Sequence, residues 1–470
     1  MSNLALKLLY HFWNRFSQVY CERGFLPETF LNETPVSLET RTPLKFFNVL
    51  AFSVQFELDY VNILRIIKNS GIPLYRKDRD WTKDPIIIVG GTAVTANPLV
   101  LAPFVDAVFQ GEFEAVANEL TEALFDRDFD KLREVPGIYL PDDPPTTACY
   151  TRNPDIDVTY YPTGQVRNVS DSDWREVQVL GGFLLQISKG CNRGCKFCLI
   201  GKISRGGSNY PMRERSVSRL LELAKNGTQN TKVNKVSLIG SGAGDYSHLQ
   251  ELLSGLNESG IKFSVPSIRA DTDLTVINEV VKNGQRSLTI APEVGSDQLR
   301  FSLAKRISNE QFFEFARHSY ECGISSLKMY YILGLPGQTL DEIPHMVDFV
   351  REMNRWYNNK NLNVTVGFFI PKRQTDFSRS YIGRVEIEEM ERQAAMLTEG
   401  LKSEASLHMP AGRWSVIQTI LSIGDERLAP YLEKIVSTPG NYQSWVRVLI
   451  DPVSFLEEMQ EGLSLPLEIG

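Results

Sequence analysis

Between residues 183 and 371, short apolar runs alternate with amphipathic ones, and this alternation limits the fold more than any other feature of the chain. The strand-like runs are FLLQIS (183–188), NKVSLIG (234–240), IKFSVPSI (261–268), RSLTIAP (286–292), SSLKMYYIL (325–333) and NVTVGFFIP (363–371). Between them lie RSVSRLLELAKNG, SHLQELLSGLNESG, DLTVINEVVKNG, NEQFFEFARHSYECG and LDEIPHMVDFVREMNRWY. Their apolar residues recur at helical spacing, and most of them stop at or near Gly or Asn, as C-caps do. Strands separated by helices of this length pair in parallel through crossovers of one hand. Such a run predicts a partial (β/α)6 TIM-like barrel over residues 181–379, with any reactive centre at the C-terminal strand ends.

The first 126 residues repeat the pattern. FNVLAFSV (47–54) and PIIIVGG (85–91) read as strands, and VNILRIIKNSG (61–71) as a helix stopped by Gly71. FVDAVFQGEFEAVANELTEAL adds a strand, a turn at Gly111 and a helix with Glu112 and Glu114 near its start. The expectation is a doubly wound, Rossmann-like α/β domain, with ligands beyond the strand ends at Gly90, Gly91 and Gly111. Such a sheet normally opens on a strand, whereas this chain opens on the helical run LALKLLYHFWNRF, so a first strand is expected to be missing. Residues 127–180, rich in Asp, Pro and Thr, read as a linker with a small hairpin. Residues 380–470 read as a helical region packed over the barrel or capping it.

Composition narrows the function. Apolar residues make up 42% and charged residues 23% of the 470, as in globular proteins, and the net charge of −7 favours neither nucleic acid nor anionic lipid as a partner. The apolar runs are too short to cross a bilayer. The opening run carries Lys7 and His11 and lacks a basic leader and a cleavage site. It reads as an amphipathic helix, and the expected location is cytoplasmic.

Three of the six cysteines, Cys21, Cys149 and Cys322, are scattered and read as small buried side chains. The other three crowd into ISKGCNRGCKFCLIG (187–201) as Cys191, Cys195 and Cys198, among Gly190, Gly194 and Gly201. A closed zinc site takes four ligands, and the nearest histidine in sequence is His248. Three thiolates suit a 4Fe-4S cube with one iron left open to an outside ligand. A zinc site completed by a distant residue and a plain cysteine-rich turn are the alternatives. His11, His248, His318, His345 and His408 read as packing or surface residues, and no catalytic acid or base is assigned. Of Tyr330 and Tyr331, only one faces the barrel interior, because strand side chains alternate.

Cys191-x-x-x-Cys195-x-Phe197-Cys198 after a first barrel strand resembles the radical S-adenosylmethionine (radical-SAM) superfamily. The resemblance implies a 4Fe-4S cluster whose open iron binds S-adenosylmethionine, reductive cleavage to a 5′-deoxyadenosyl radical, hydrogen abstraction from a substrate, and an electron donor of flavodoxin or ferredoxin type. It also assigns cofactor contacts to Phe197, to Gly240, Gly242, Gly244 and Asp245 of the glycine-rich motif, and to Arg269. Glu293, Ser296, Leu333 and Gly334 complete that set. The N-terminal part is similar to the cobalamin-binding-type domain of a mostly uncharacterised subgroup, which places Gly90, Gly91, Thr92, Gly111 and Glu112 on the cobalamin side and allows methyl transfer. This chain departs from the subgroup in lacking the initial strand, and it has no DxHxxG sequence. The competing functions are a methylthiotransferase-like modifier of RNA or protein and a non-catalytic iron–sulfur or zinc protein. The substrate, small or macromolecular, is not specified.

Overall fold

The computed structural model describes residues 3–27, 33–144, 146–151, 161–165, 181–203 and 212–462. Helix α1 (Leu4–Trp13) starts at Asn3, whose side chain accepts the N–H groups of Ala5 and Leu6. Strand β1 (Val49–Ser53), helix α2 (Tyr60–Asn69), strand β2 (Ile86–Gly90), helix α3 (Thr92–Ala96) and strand β3 (Ala107–Phe109) follow. Helices α4 (Ala117–Asp126) and α5 (Phe129–Glu134) and strand β4 (Ile138–Tyr139) complete the N-terminal part. Strands β1 to β3 are parallel, and β4 pairs antiparallel with β3.

The alternation of strand side chains gives this sheet two apolar faces. Ile87, Val89 and Val108 turn to one face with α2, while Ile86, Ile88 and Phe109 turn to the other with α4 and α5. The strand order is β1-β2-β3-β4, so it does not reverse as a doubly wound sheet does. Each crossover steps in the same direction. Among the described residues β1 has no partner on its outer edge. That edge, Phe47 to Ser53, lines a groove of about 780 Å³ together with parts of α1, α2 and α4.

The second part contains strand β5 (Phe183–Gln186), strand β6 (Ser188–Gly190), helix α6 (Ile200–Ile203), strand β7 (Met212–Glu214), helix α7 (Val217–Thr231) and strand β8 (Lys235–Ile239). It continues through helix α8 (Leu249–Glu258), strand β9 (Lys262–Ser264), helix α9 (Thr275–Lys282), strand β10 (Ser287–Glu293), helix α10 (Asp297–Ser302) and helix α11 (Asn309–Glu321). Strand β11 (Ser326–Leu333), helix α12 (Glu342–Met353), strand β12 (Leu362–Phe368), helix α13 (Arg384–Leu401) and strand β13 (Ser406–His408) end it. The parallel set β5-β8-β9 meets the parallel set β10-β11-β12-β13 through a bridge between Ser267 and Thr289. The parallel strands therefore stand in sequence order. β6 and β7 form a separate antiparallel pair.

Several sequence expectations shift here. Helix α7 runs through Gly227 to Thr231. Gly227 is required by packing, since a Cβ there would stand 2.3 Å from the Phe183 ring. The tail is not all helical, because β13 pairs with β12. Parts of the expected linker belong to the fold: β4 joins the first sheet, and Tyr161 and Gln165 hydrogen-bond the backbone of Leu184. Residues 152–160 and 166–180 of that linker lie outside the described residues.

The last helices are α14 (Arg413–Ile423), α15 (Ala429–Val436), α16 (Tyr442–Leu449) and α17 (Pro452–Gly462). They do not simply cap the second part. Val416, Ile417, Ile420, Leu432 and Ile435 share one apolar cluster with α2 and one face of the N-terminal sheet. Asn97 donates to the carbonyls of Ser422 and Gly424, and the buried Glu57 pairs with the half-buried Lys372 beside Gln418. The cause is the unpaired apolar face of the first sheet, which α2 and α3 alone leave partly open. No described helix is long and apolar enough to cross a membrane.

Candidate cofactor site

The cysteine loop leaves β6 at Gly190, whose φ of 80° suits only a residue without Cβ. The Arg193 N–H points at Cys191 Sγ at 3.4 Å, and the Cys198 N–H bonds the Cys195 carbonyl. The Lys196 N–H donates to Leu303 O at 3.0 Å, which pins the loop to the turn after α10. All three thiols are free and half-buried. Burial pushes the Cys191 and Cys195 thiols up. Among the described residues no three His, Cys, Asp or Glu side chains are gathered as they would be around a single ion. In a cube each thiolate binds its own iron, so the sulfurs do not need to converge that closely.

The glycine-rich motif after β8 turns against the loop. Asp245 is nearly buried, and its Oδ1 takes Arg193 at 2.6 and 3.1 Å, with Arg269 at 3.4 Å. Arg269 grips Asp271 with bonds of 2.8 and 2.9 Å. The Asp245 Oδ2 atom is buried without a hydrogen-bond partner. An acceptor left so costs roughly 1–3 kcal/mol unless a donor arrives. An ammonium group such as the amino group of S-adenosylmethionine suits that acceptor chemically. Gly242 makes room for the carboxylate, since a Cβ there would stand 2.6 Å from Oδ2.

Glu293 ends β10 at a register shift with φ 68°, and its carboxylate meets Lys305 Nζ at 2.7 Å. A left-handed non-glycine residue at a strand end is strained and persists only where its surroundings hold it. The charges of Lys305, Arg269 and Glu293 all act on the Cys195 thiol, and those of Asp245 and Arg269 on Cys191. The structure thus gathers the cysteines, Asp245, Arg269 and Glu293.

The remaining expected contacts have partners of their own. The Ser296 hydroxyl caps α10 and donates to Glu342 Oε2 at 2.7 Å. Phe197 packs, half-buried, on the apolar cluster that includes Val294 and Leu303. Leu333 is buried at the end of β11, and the Gly334 N–H bonds Gln393 on α13 at 3.1 Å. Gly240 packs on Ser188, with only 2.9 Å between its Cβ position and the Ser188 Oγ. Of the tyrosine pair, Tyr331 is buried beside Phe349 of α12, and Tyr330 takes the opposite, exposed face of β11.

A second cavity, of about 470 Å³, opens between the two parts of the chain. Gly90, Gly91, Thr92, Gly111 and Glu112 line one wall, and Gly190, Gly240 and Ser241 another. Gly91 and Gly111 have φ of 117° and 124°, and their Cβ positions fall 2.3 Å from Val54 O and 1.9 Å from Cys149 O. Glu112 and Glu114 stand at the 3-10 turn Phe113–Ala115 just before α4, near the helix start as expected, but their carboxylates do not serve the helix. They bind across the junction to Arg213 and Lys189 of the β6–β7 pair. Burial raises the Glu114 carboxyl, but the Lys189 charge and hydrogen bond outweigh it and hold it below the ordinary value. The sequence reading missed Arg193, Asp271, Lys305, Lys189 and Arg213. Only Arg193, inside the cysteine run, and Asp271, two residues from Arg269, carried a local signal.

Residues 185–350 match the family described as the radical SAM superfamily, and residues 5–141 match radical SAM proteins, N-terminal. The chain belongs to the radical-SAM superfamily. It is a radical-SAM enzyme, with a 4Fe-4S cluster and S-adenosylmethionine as cofactors. The uncharacterized protein MJ0966 of Methanocaldococcus jannaschii is 30% identical over 410 residues, covering 86% of this chain and 84% of that protein. The ribosomal protein uS12 methylthiotransferase RimO of Lachnoclostridium phytofermentans is 27% identical over 201 residues, 39% of this chain and 44% of that protein. Among solved structures, the radical S-adenosylmethionine methyltransferase TsrM of Kitasatospora setae, with cobalamin and a [4Fe-4S] cluster bound, aligns with a TM-score of 0.57 at 12% identity. The alignment covers 98% of this chain and 97% of that one, and it is a likeness of fold.

Proposed function

We propose that this radical-SAM enzyme is a cobalamin-dependent methyltransferase, with β5 and β8 to β12 forming a partial barrel and cobalamin seated between that barrel and the N-terminal sheet. The observation that carries the reading is the inter-part cavity. Its walls are the C-terminal strand ends of both sheets, so whatever fills it abuts the approach to the cysteine loop. Its volume suits a ligand core, and it shares Leu9, Trp13, Ala51, Phe52 and Ser53 with the groove beside β1, an apolar continuation for a larger molecule. The TsrM fold likeness supports the same reading.

In this reading Cys191, Cys195 and Cys198 hold three irons, Asp245 Oδ2 receives the cofactor ammonium, and Arg269 and Glu293 frame its remaining polar groups. Gly90, Gly91, Thr92 and Gly111 let the backbone approach a flat macrocycle. Glu112, spent on Arg213 and the Thr151 N–H, shapes the wall and offers no free charge. When bound, the cluster supplies an electron for sulfonium cleavage and cobalamin a carrier for a methyl group. The reductant is a carrier of flavodoxin or ferredoxin type.

The RimO match favours methylthiotransferase chemistry as a second reading. That chemistry uses a second cluster on three further cysteines. Here Cys21 sits at Asn14, Cys149 at Gly111 and Cys322 beside His318, three separate places.

The test is anaerobic reconstitution followed by gel filtration with hydroxocobalamin. Wild-type protein should retain iron and cobalamin and release 5′-deoxyadenosine with a reductant. Cys195→Ala should lose the iron, whereas Thr92→Trp should lose cobalamin and keep the iron. Cobalamin passing straight through the wild-type column would end the methyltransferase reading.

A further inference from the structure

Lys305 stands where three pieces of the cofactor site meet. Its Nζ lies 2.7 Å from Glu293 Oε1, and the two side chains are only 9% and 12% exposed. Ala304, the residue before it, lines one small pocket of about 260 Å³ together with Cys195 and Arg269. The turn that carries Lys305 holds Ala304 at φ 59°, and the Leu303 carbonyl in that turn accepts the Lys196 N–H from the cysteine loop. One short turn therefore touches the loop through its backbone and Glu293 through its side chain.

The turn is rigid for a visible reason. Arg300, fully buried, donates to the carbonyls of Pro292, Val294 and Ile307 and packs on the rings of Phe312 and Phe349. Lys305 therefore does not need its charge to order the segment. A buried ion pair is often no more stabilising than apolar residues of similar volume. What the pair adds here is a fixed field, with an ammonium and a carboxylate beside a cysteine that binds the cluster.

We propose that Lys305 is a positioning residue of the cofactor site: its ammonium holds the Glu293 carboxylate in its strained turn toward S-adenosylmethionine and sets a positive potential at the Cys195 side of the cluster. The role rests on Cys195 being a cluster ligand. A cation beside a cluster favours the reduced form, which carries one more negative charge, and a carboxylate disfavours it.

The experiment measures the midpoint potential of the reconstituted cluster and the affinity for S-adenosylmethionine, by calorimetry, in four variants. Lys305→Gln should lower the potential by at least about 59 mV, a tenfold change in the one-electron equilibrium, and weaken cofactor binding at least tenfold. Glu293→Gln should move the potential upward and also weaken binding. The double variant Lys305→Gln/Glu293→Gln, which leaves no unpaired buried charge, should return the potential toward wild type without restoring affinity. Lys305→Arg should keep both properties. A purely structural lysine would alter stability without opposite shifts in potential. Unchanged potentials, or shifts of one sign in the two single variants, overturn the role. If Lys305→Gln does not fold, a potential in Glu293→Gln that does not rise overturns it, and a rise that the double variant reverses supports it. A wild-type protein that takes up no cluster sinks both this role and the functional reading beneath it.

Discussion

Glu293 and Arg300 lie seven positions apart and work in opposite ways. Glu293 accepts a left-handed backbone at the end of β10, a conformation with an intrinsic cost. Arg300 supplies what holds that conformation in place, satisfying carbonyls on both sides of α10 from a wholly buried position. Burial draws its guanidinium below the usual arginine value, and the nearby Tyr331, Asp297 and Glu342 act against that. Arg300→Met should therefore cost roughly 3–5 kcal/mol in urea unfolding, as breaking a buried charged network does. A loss below about 1 kcal/mol, the scale of an exposed pair, would contradict the stapling role. Cys191, Cys195 and Cys198 stand out as candidate ligands from their spacing alone. Lys305 does not, because its partner is 12 residues away across a turn whose path no periodicity announces.

At the scale of elements, the β6–β7 pair joins the two parts of the chain. Its strand β6 leads straight into Cys191, while Lys189 on that strand and Arg213 on β7 grip the turn after β3. The Glu114 carboxyl is held below its ordinary value of 4.5, so the folded state binds a proton there less readily than the unfolded chain. Its stabilising contribution is complete at neutral pH and fades as pH falls from about 4.5 through the lowered value. The stability gap between wild type and Glu114→Gln should be widest near pH 7 and should narrow below pH 4.5 in urea titrations. A gap that stayed constant down to pH 3 would remove the pair from the acid response. The sequence reading took Glu112 and Glu114 for helix-start residues, because Asp and Glu favour that place. Nothing local showed that two cations from a hairpin 75 or more residues later would claim them.

At the scale of the whole molecule, the helices from α14 onward add a second tie between the two parts of the chain. Helices α14 to α16 cover the sheet face that α2 leaves open, and residues from both parts meet in that one cluster. A chain ending at residue 412 should expose Leu64, Ile67, Val89 and Val108 and should bind a hydrophobic dye or sediment as aggregate. A soluble, cooperatively melting truncation with no dye binding would show the cover to be dispensable. The expected separation into a domain at 1–126 and a helical region at 380–470 does not reflect this sharing. Domain readings follow composition along the chain, whereas a core follows proximity.

The sequence alone determined what depends on neighbours in the chain: the period of most strands and helices, the stops at Gly71, Gly260, Gly284 and Gly323, and three cysteines crowded into one loop. These follow from backbone sterics and covalent spacing, which act over a few residues. Tertiary structure decided the one-way order of the first sheet, the sealing of its open face by the tail, and the charges gathered around Cys195. Those outcomes depend on apolar faces finding cover and buried ions finding partners, and both are settled only when distant segments come into contact.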